Sequence, residues 1–245
     1  KTNQYTVLNF DRASKTFQID LYDFATLKKV STLVDSKNHV ELSSIDSYTF
    51  NEAETQLLIA LNSEQIYRHS SVADFYIYDI ATKTLQKVAD YKIQEPLFSP
   101  DGKKIAYVRG RGTLVVADIS ADGKLSNEKI LNESWASPNG IVWSPDNKWL
   151  AYSIEDLYFN EEVFIQAADN SSKPVNISTH PRGDNNPFWS ADGSKLGFIS
   201  ERSVGRSADV WFVWLKKEDW EKEAQDWQEN ELPAESETAK SKEKK

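Results

Sequence analysis

Few residues in this chain have the type and spacing to do chemistry. Ile66-Tyr67-Arg68-His69-Ser70 sets an arginine, a histidine and a hydroxyl side by side. A guanidinium offers a rigid fork of donors that fits carbonyl or carboxylate oxygens. Glu161 and Glu162 are adjacent carboxylates in Phe159-Asn160-Glu161-Glu162-Val163, where a solvated strand entrance is a plainer reading than a ligand clamp. Asp118, Ser120, Asp122 and Gly123 open like an EF-hand loop, but position twelve is Lys129 where a bidentate glutamate is required, so calcium is not expected. The histidines are His39, His69 and His180, and no Gly-x-Ser-x-Gly elbow is present, so no catalytic triad is expected. Asp101, Asp146 and Asp192 could be read as converging carboxylates of a glycosidase, but each sits in a turn motif that explains it. No residue set implies a metal or a cofactor.

The elements that must position these residues follow from a repeat. Four segments share one pattern: an aromatic, a polar turn, then an apolar strand. They begin at Phe50, Phe98, Trp143 and Trp189, spaced 48, 45 and 46 residues apart. That is a blade-sized period. In Phe98-Ser99-Pro100-Asp101-Gly102, proline presets φ, aspartate bonds back to the backbone and glycine takes positive φ, so an inner strand turns into a second one. An alternating third strand follows, such as Phe75–Asp79, Leu114–Asp118, Val163–Gln166 or Val210–Trp214, and then a fourth, such as Leu85–Val88 or Pro174–Ile177. Four short strands per period without helical spacing predict an all-β propeller.

About five blades are expected over residues 1–215. The first lacks its first strand, with Tyr5–Leu8, Phe17–Tyr22 and Lys29–Leu33 supplying three, and the last stops after its third, at Leu215. Such an array either closes as a ring or leaves an open edge that invites pairing with another chain. Residues 216–232 predict a short helix with Trp220, Ala224 and Trp227 on one face, docked on the last blade. Residues 233–245 are charged and of low complexity and are expected to be disordered.

Composition bounds the partners. The 245 residues carry a net charge of −9, which disfavours nucleic acid and an anionic membrane. No apolar run is long enough to span a bilayer, and no signal peptide is visible at Lys1. Cysteine is absent, which excludes disulfides, zinc ribbons and thiol catalysis. Methionine is absent too, through chance and a trimmed start or through excision and engineering.

Two family resemblances cover different halves. Residues about 1–97 resemble the propeller of bacterial dipeptidyl peptidase IV, through Ile66-Tyr67-Arg68-His69-Ser70, Asp74-Phe75-Tyr76-Ile77-Tyr78-Asp79 and Ile45-Asp46-Ser47-Tyr48-Thr49-Phe50. Residues about 98–232 resemble the N-terminal TolB/WD40-like propeller of tricorn-like peptidases. The matching residues are Gly110-Arg111-Gly112, Trp143-Ser144-Pro145-Asp146 with Asp156-Leu157-Tyr158-Phe159-Asn160, the Pro174–Pro181 stretch and Val210–Trp220. The switch near 95–102 suggests a chimera of two partial propellers, or one natural relative of both.

The resemblance implies serine peptidase parents, outside the cytoplasm, whose catalytic residues lie beyond the matched portions. It also implies that Arg68, with His69 beside it, meets a bound peptide, and that a glutamate pair holds the peptide's amine. The family's own glutamate motif is missing here, and Glu161-Glu162 is the nearest substitute, so the clamp is expected to be incomplete and Arg68 to be structural rather than functional. The expectation is therefore a non-catalytic scaffold or interaction module. Its candidate partners are a peptide, a protein or its own copy through open blade edges.

Overall fold

The computed structural model describes residues 3–68, 70–203, 205, 207–223 and 226. It is all-β apart from two short 3-10 turns (Ser36–Asn38 and Val40–Leu42) and one helical turn, α1 (Lys217–Trp220). Blade one comprises β1 (Gln4–Asp11), β2 (Thr16–Asp23) and β3 (Lys29–Asp35). Blade two comprises β4 (Ser47–Phe50), β5 (Gln56–Tyr67), β6 (Ser70–Asp79) and β7 (Leu85–Lys87). Blade three comprises β8 (Ile93–Phe98), β9 (Lys104–Arg109), β10 (Thr113–Ile119) and β11 (Leu125–Glu133). Blade four comprises β12 (Asn139–Trp143), β13 (Trp149–Glu155), β14 (Glu161–Ala167) and β15 (Val175–Asn176). Blade five comprises β16 (Asp184–Trp189), β17 (Lys195–Ser200) and β18 (Asp209–Trp214). Strands within each blade are consecutive and antiparallel.

The repeated turn shows why the pattern folds this way. Gly102 N–H bonds to Ser99 C=O at 2.9 Å, and Gly102 takes φ +70°. The Ser99 hydroxyl donates to Asp101 Oδ1 at 2.7 Å and accepts from Lys104 N at 2.9 Å. Ser144–Trp149 and Ser190–Lys195 repeat these bonds, with Asn147 at φ +64° in the glycine position of the first. In blade two Asn51 replaces serine, and its Oδ1 accepts from Thr55 N and Gln56 N at 2.9 and 3.0 Å. The turn end is also stitched sideways. Trp143 Nε1 donates to Leu97 C=O in the preceding blade at 3.3 Å, and Trp189 Nε1 to Val142 C=O at 3.4 Å.

The central strands of blades two, three and four are buried on both sides, because alternate residues face alternate neighbours. Leu57, Ile59 and Leu61 join Ile19 and Val34 of blade one, whereas Leu58 joins Ile93, Ile105 and Tyr107 of blade three. Ala106 and Val108 join Trp143, Leu150 and Tyr152 of blade four. Ala151 and Val163 join Leu196 and Phe198 of blade five. Five blades thus have four apolar seams. Among the described residues no strand of blade one pairs with a strand of blade five.

The C-terminal expectation needs correction. Helix is described only over Lys217–Trp220. Trp220 is 74% exposed and does not dock on the last blade. One turn buries one residue, and here it is Asp219, held by Lys222 Nζ at 2.6 Å. Ala224, Trp227 and the rest of 227–245 lie outside the described residues.

Candidate peptide-binding face

An up-and-down blade puts its inner turn at one end of the array and its second-to-third connection at the other. The β5–β6 connection, which carries Arg68, therefore opens on the same end as the β13–β14 connection, which carries Glu161 and Glu162. In blade two this connection extends as an arm, because β5 and β6 run past the sheet with register shifts after Leu61 and Gln65. The arm is braced at its root. Ser63 N donates to Asp46 Oδ2 at 2.7 Å, and Lys92 Nζ pairs with Glu64 Oε1 at 2.7 Å. Asn62 Nδ2 donates to Asp74 Oδ2 at 3.2 Å, and Lys87 pairs with Asp74 at 3.2 Å. Burial opposes the charge on Asp74, but the Asn62 amide and the Lys87 ammonium outweigh it and hold its carboxyl below the ordinary range. Arg68 lies exposed at the turn of the arm, its carbonyl accepting from Gln65 Nε2 at 3.3 Å. His69 lies outside the described residues.

Glu161 and Glu162 leave β14 on opposite faces and have different partners. Glu161 Oε1 accepts from Ser153 Oγ at 2.7 Å and its Oε2 from Asn185 Nδ2 of blade five at 3.1 Å. Glu162 is 9% exposed; its Oε1 accepts from Asn160 Nδ2 at 2.9 Å and its Oε2 from the Ser178 hydroxyl. The pair anchors the β13–β14 connection and the seam to blade five, and the structure does not bring the two carboxylates together as one clamp. Beside them Asp156 Oδ1 accepts from Tyr158 N at 2.7 Å and Asn160 N at 2.9 Å. That holds Phe159 at φ +60°, where a bulky residue is rare, and displays Leu157, Tyr158 and Phe159 to solvent.

The sequence reading missed a second repeated feature. The inner strands of blades three, four and five each bulge, and Glu95, Gly140 and Asn186 sit in the bulges at φ +48°, +58° and +50°. Their spacing matches that of the lead aromatics, which was the available signal. Beside the first, Gln94 Nε2 donates to Gly110 C=O at 2.8 Å. The Glu95 side chain is reached by solvent yet ringed by protein, and that desolvation raises its carboxyl. At the opposite end a cleft of about 650 Å³ between blades four and five is lined by Trp149, Trp189, Asp146 and Asp192. Both carboxylates there are engaged by their own turns. The EF-hand-like residues form a plain hairpin turn, with Asp118 taken by Lys104 and Asn127. His180 Nδ1 accepts from Arg182 N at 3.3 Å.

Comparison with known proteins agrees with the propeller fold. Residues 51–180 match the family described as the dipeptidyl peptidase IV (DPP IV) N-terminal region. The chain belongs to the dipeptidyl peptidase IV N-terminal region family. The family match covers blade two from the end of β4, and blades three and four, and runs through residues 97–98, where the two resemblances meet. A probable dipeptidyl-aminopeptidase B of Emericella nidulans is 27% identical over 148 residues, covering 59% of this chain and 13% of its own. A putative Tricorn-like protease C-terminal subunit of Sulfurisphaera tokodaii is 29% identical over 119 residues, covering 48% of this chain and 13% of its own. Among solved structures, Porphyromonas gingivalis dipeptidyl peptidase 4 superposes with a TM-score of 0.66 at 20% identity, covering 86% of this chain and 37% of that one. The chain thus spans a minor part of the relatives it matches, and what matches is a peptidase propeller region. No helix among the described residues is long and apolar enough to cross a membrane.

Proposed function

We propose that this chain is a non-catalytic propeller array that positions peptides for a separate catalytic domain, outside the cytoplasm. The observation that carries this reading is that the family match lies wholly within blades whose side chains are spent on packing and turns. The expected result is no turnover of a panel of peptidase and glycosidase substrates by the purified chain. Turnover that survives repurification removes the reading.

A second reading, in which the array itself holds extended peptides, is favoured by the placement of Arg68. Arg68 is exposed on a braced arm, and the resemblance implies that the matching arginine meets a bound peptide, a role that suits a guanidinium's donor fork. Titration with an unstructured peptide, followed by calorimetry, tests it. Saturable binding weakened about tenfold or more by Arg68→Ala is expected, in line with loss of a charge-assisted hydrogen bond. Absence of binding, or binding unchanged in the variant, leaves the scaffold reading alone.

A further inference from the structure

In blade four an unfavourable backbone conformation displays apolar side chains. Each of its three hairpin turns holds one residue at left-handed φ. Asn147 at +64° and Asn170 at +60° suit that conformation. The third, in the β13–β14 connection, is Phe159 at +60°. Phe159 N–H bonds to Asp156 C=O at 3.1 Å and Asp156 N–H to Asn160 C=O at 2.9 Å, so the turn is closed around the strained residue. The ring gains little burial there: Phe159 is 77% exposed, as is Leu157, and Tyr158 is 88% exposed. Strain of this kind persists where the surrounding structure imposes it, and it clusters at ligand sites.

The display continues into blade three. Gly112 is buried, and a Cβ there would lie 2.4 Å from the carbonyl oxygens of Ser134 and Ala136. Ser134 N–H bonds to Gly112 C=O at 3.2 Å. Glycine at 112 thus lets the β11–β12 connection lie against the β9–β10 turn, and it sets Trp135 beside the turn that carries Arg111. The Trp135 ring, 41% exposed, meets the Phe159 ring edge-on with centroids 6.4 Å apart. Arg111 is exposed and makes no hydrogen bond or ion pair among the described residues. Asp156, Glu161 and Glu162, in contrast, accept from donors of blades four and five. The strip shares the end of the array with Arg68. Inner strand β8 fastens both: Lys92 pairs with Glu64 of the arm at 2.7 Å, and Gln94 Nε2 donates to Gly110 C=O at 2.8 Å, next to Arg111.

We propose that Trp135, Tyr158 and Phe159, with Arg111 beside them, form a subsite for an extended peptide that carries an apolar side chain and, two residues away, a carboxylate. Side chains two apart on an extended chain face the same way, so both can meet one surface. The aromatic faces take the apolar side chain, and the guanidinium fork takes both carboxylate oxygens. Glu133 and Glu155 lie at the same end, so the carboxylate is held by that one fork and not by a basic surface. This subsite rests on the reading that the array holds extended peptides, and it names the side chains selected.

The test is titration of the 245-residue chain with the blocked peptide acetyl-Gly-Asp-Ser-Phe-Ser-Asp-Gly-amide, read by NMR of the eight indole N–H groups. A carboxylate stands on either side of the phenylalanine, so chain direction is immaterial, and the blocked ends leave an amine clamp nothing to hold. Saturable binding is expected, with a shift of the indole signal assigned through Trp135→Phe. Asparagine for both peptide aspartates, or serine for the phenylalanine, is expected to weaken binding about tenfold. Arg111→Gln has the same effect, and Arg111→Lys, which keeps the charge and loses the fork, recovers only part of it. Phe159→Asn is expected to weaken binding about tenfold yet raise the thermal midpoint, because asparagine adopts left-handed φ more readily. Equal binding of a peptide with lysine for aspartate, indifference to Arg111→Gln or Phe159→Asn, or a lowered midpoint in Phe159→Asn overturns the proposal. Binding weakened by Arg68→Ala and by none of these variants overturns the subsite and leaves the peptide-holding reading standing. Failure of this peptide while an unrelated unstructured peptide binds does the same, and failure of both removes the two together. Self-association that Phe159→Asn abolishes, in place of peptide binding, assigns the strip to a protein partner and overturns the subsite too.

Discussion

At the scale of single residues, most polar groups in the array serve turns and seams, whereas Glu95 is exposed and its carboxyl is raised by partial desolvation, with no donor compensating. A carboxyl whose native pKa exceeds its unfolded value contributes stability below the unfolded pKa, and that contribution is lost as pH rises through the native pKa. Glu95→Gln removes the charge but keeps the shape. It is expected to raise the thermal midpoint at neutral pH, with the gain shrinking as pH falls into the carboxylate range. Asp74 and Asp118 work with the opposite sign. The Lys104 ammonium and the Asn127 amide hold Asp118 below its ordinary value. The stability these aspartates supply is present above the unfolded pKa and is lost on acidification. A gain for Glu95→Gln that is constant between acid and neutral pH would count against this assignment.

At the scale of elements, an ion pair within blade five supports its seam with blade four, where Arg202 also reaches Ser178 C=O. Asp184 on β16 is fully buried, and both its oxygens accept from Arg202 at 3.1 Å. Arg202 also donates to Ser200 Oγ at 2.7 Å and to Ser178 C=O at 3.2 Å, and lies over the Phe198 ring at 5.3 Å. Removing one partner strands the other charge. Arg202→Leu is expected to cost about 3–5 kcal/mol in urea unfolding, and Arg202→Leu with Asp184→Leu to recover much of that. A double variant no better than the single one would show that the two residues act separately.

Much of the elements' layout was legible beforehand. The lead aromatics, the serine–proline–aspartate–glycine turns and the three strands of blade one stand where periodicity put them. Local chemistry decides those features. The bulges at Glu95, Gly140 and Asn186, the length of the arm around Arg68 and the exposure of Trp220 depend on neighbouring blades, which no window of sequence contains. Gly112 makes the same point: a Cβ there would lie 2.4 Å from the carbonyl oxygens of Ser134 and Ala136, an approach set by the next connection. Glu161 and Glu162 look like a pair in sequence, yet alternation along a strand sends them to opposite faces.

At the scale of the whole molecule, the separation of the four apolar cores predicts graded stability. Blades two, three and four each have a neighbour on both sides, whereas blades one and five each have one. Hydrogen exchange on the monomer should therefore release β1–β3 and β16–β18 before β9 and β13. Uniform exchange across all strands would mean that the array opens only as one unit.

A ring must break twice to come apart, but a row of slabs frays from its ends. With no strand pairing between blades one and five among the described residues, heat need not melt this row in a single step, and removal of a terminal slab leaves a shorter row with its inner joints intact.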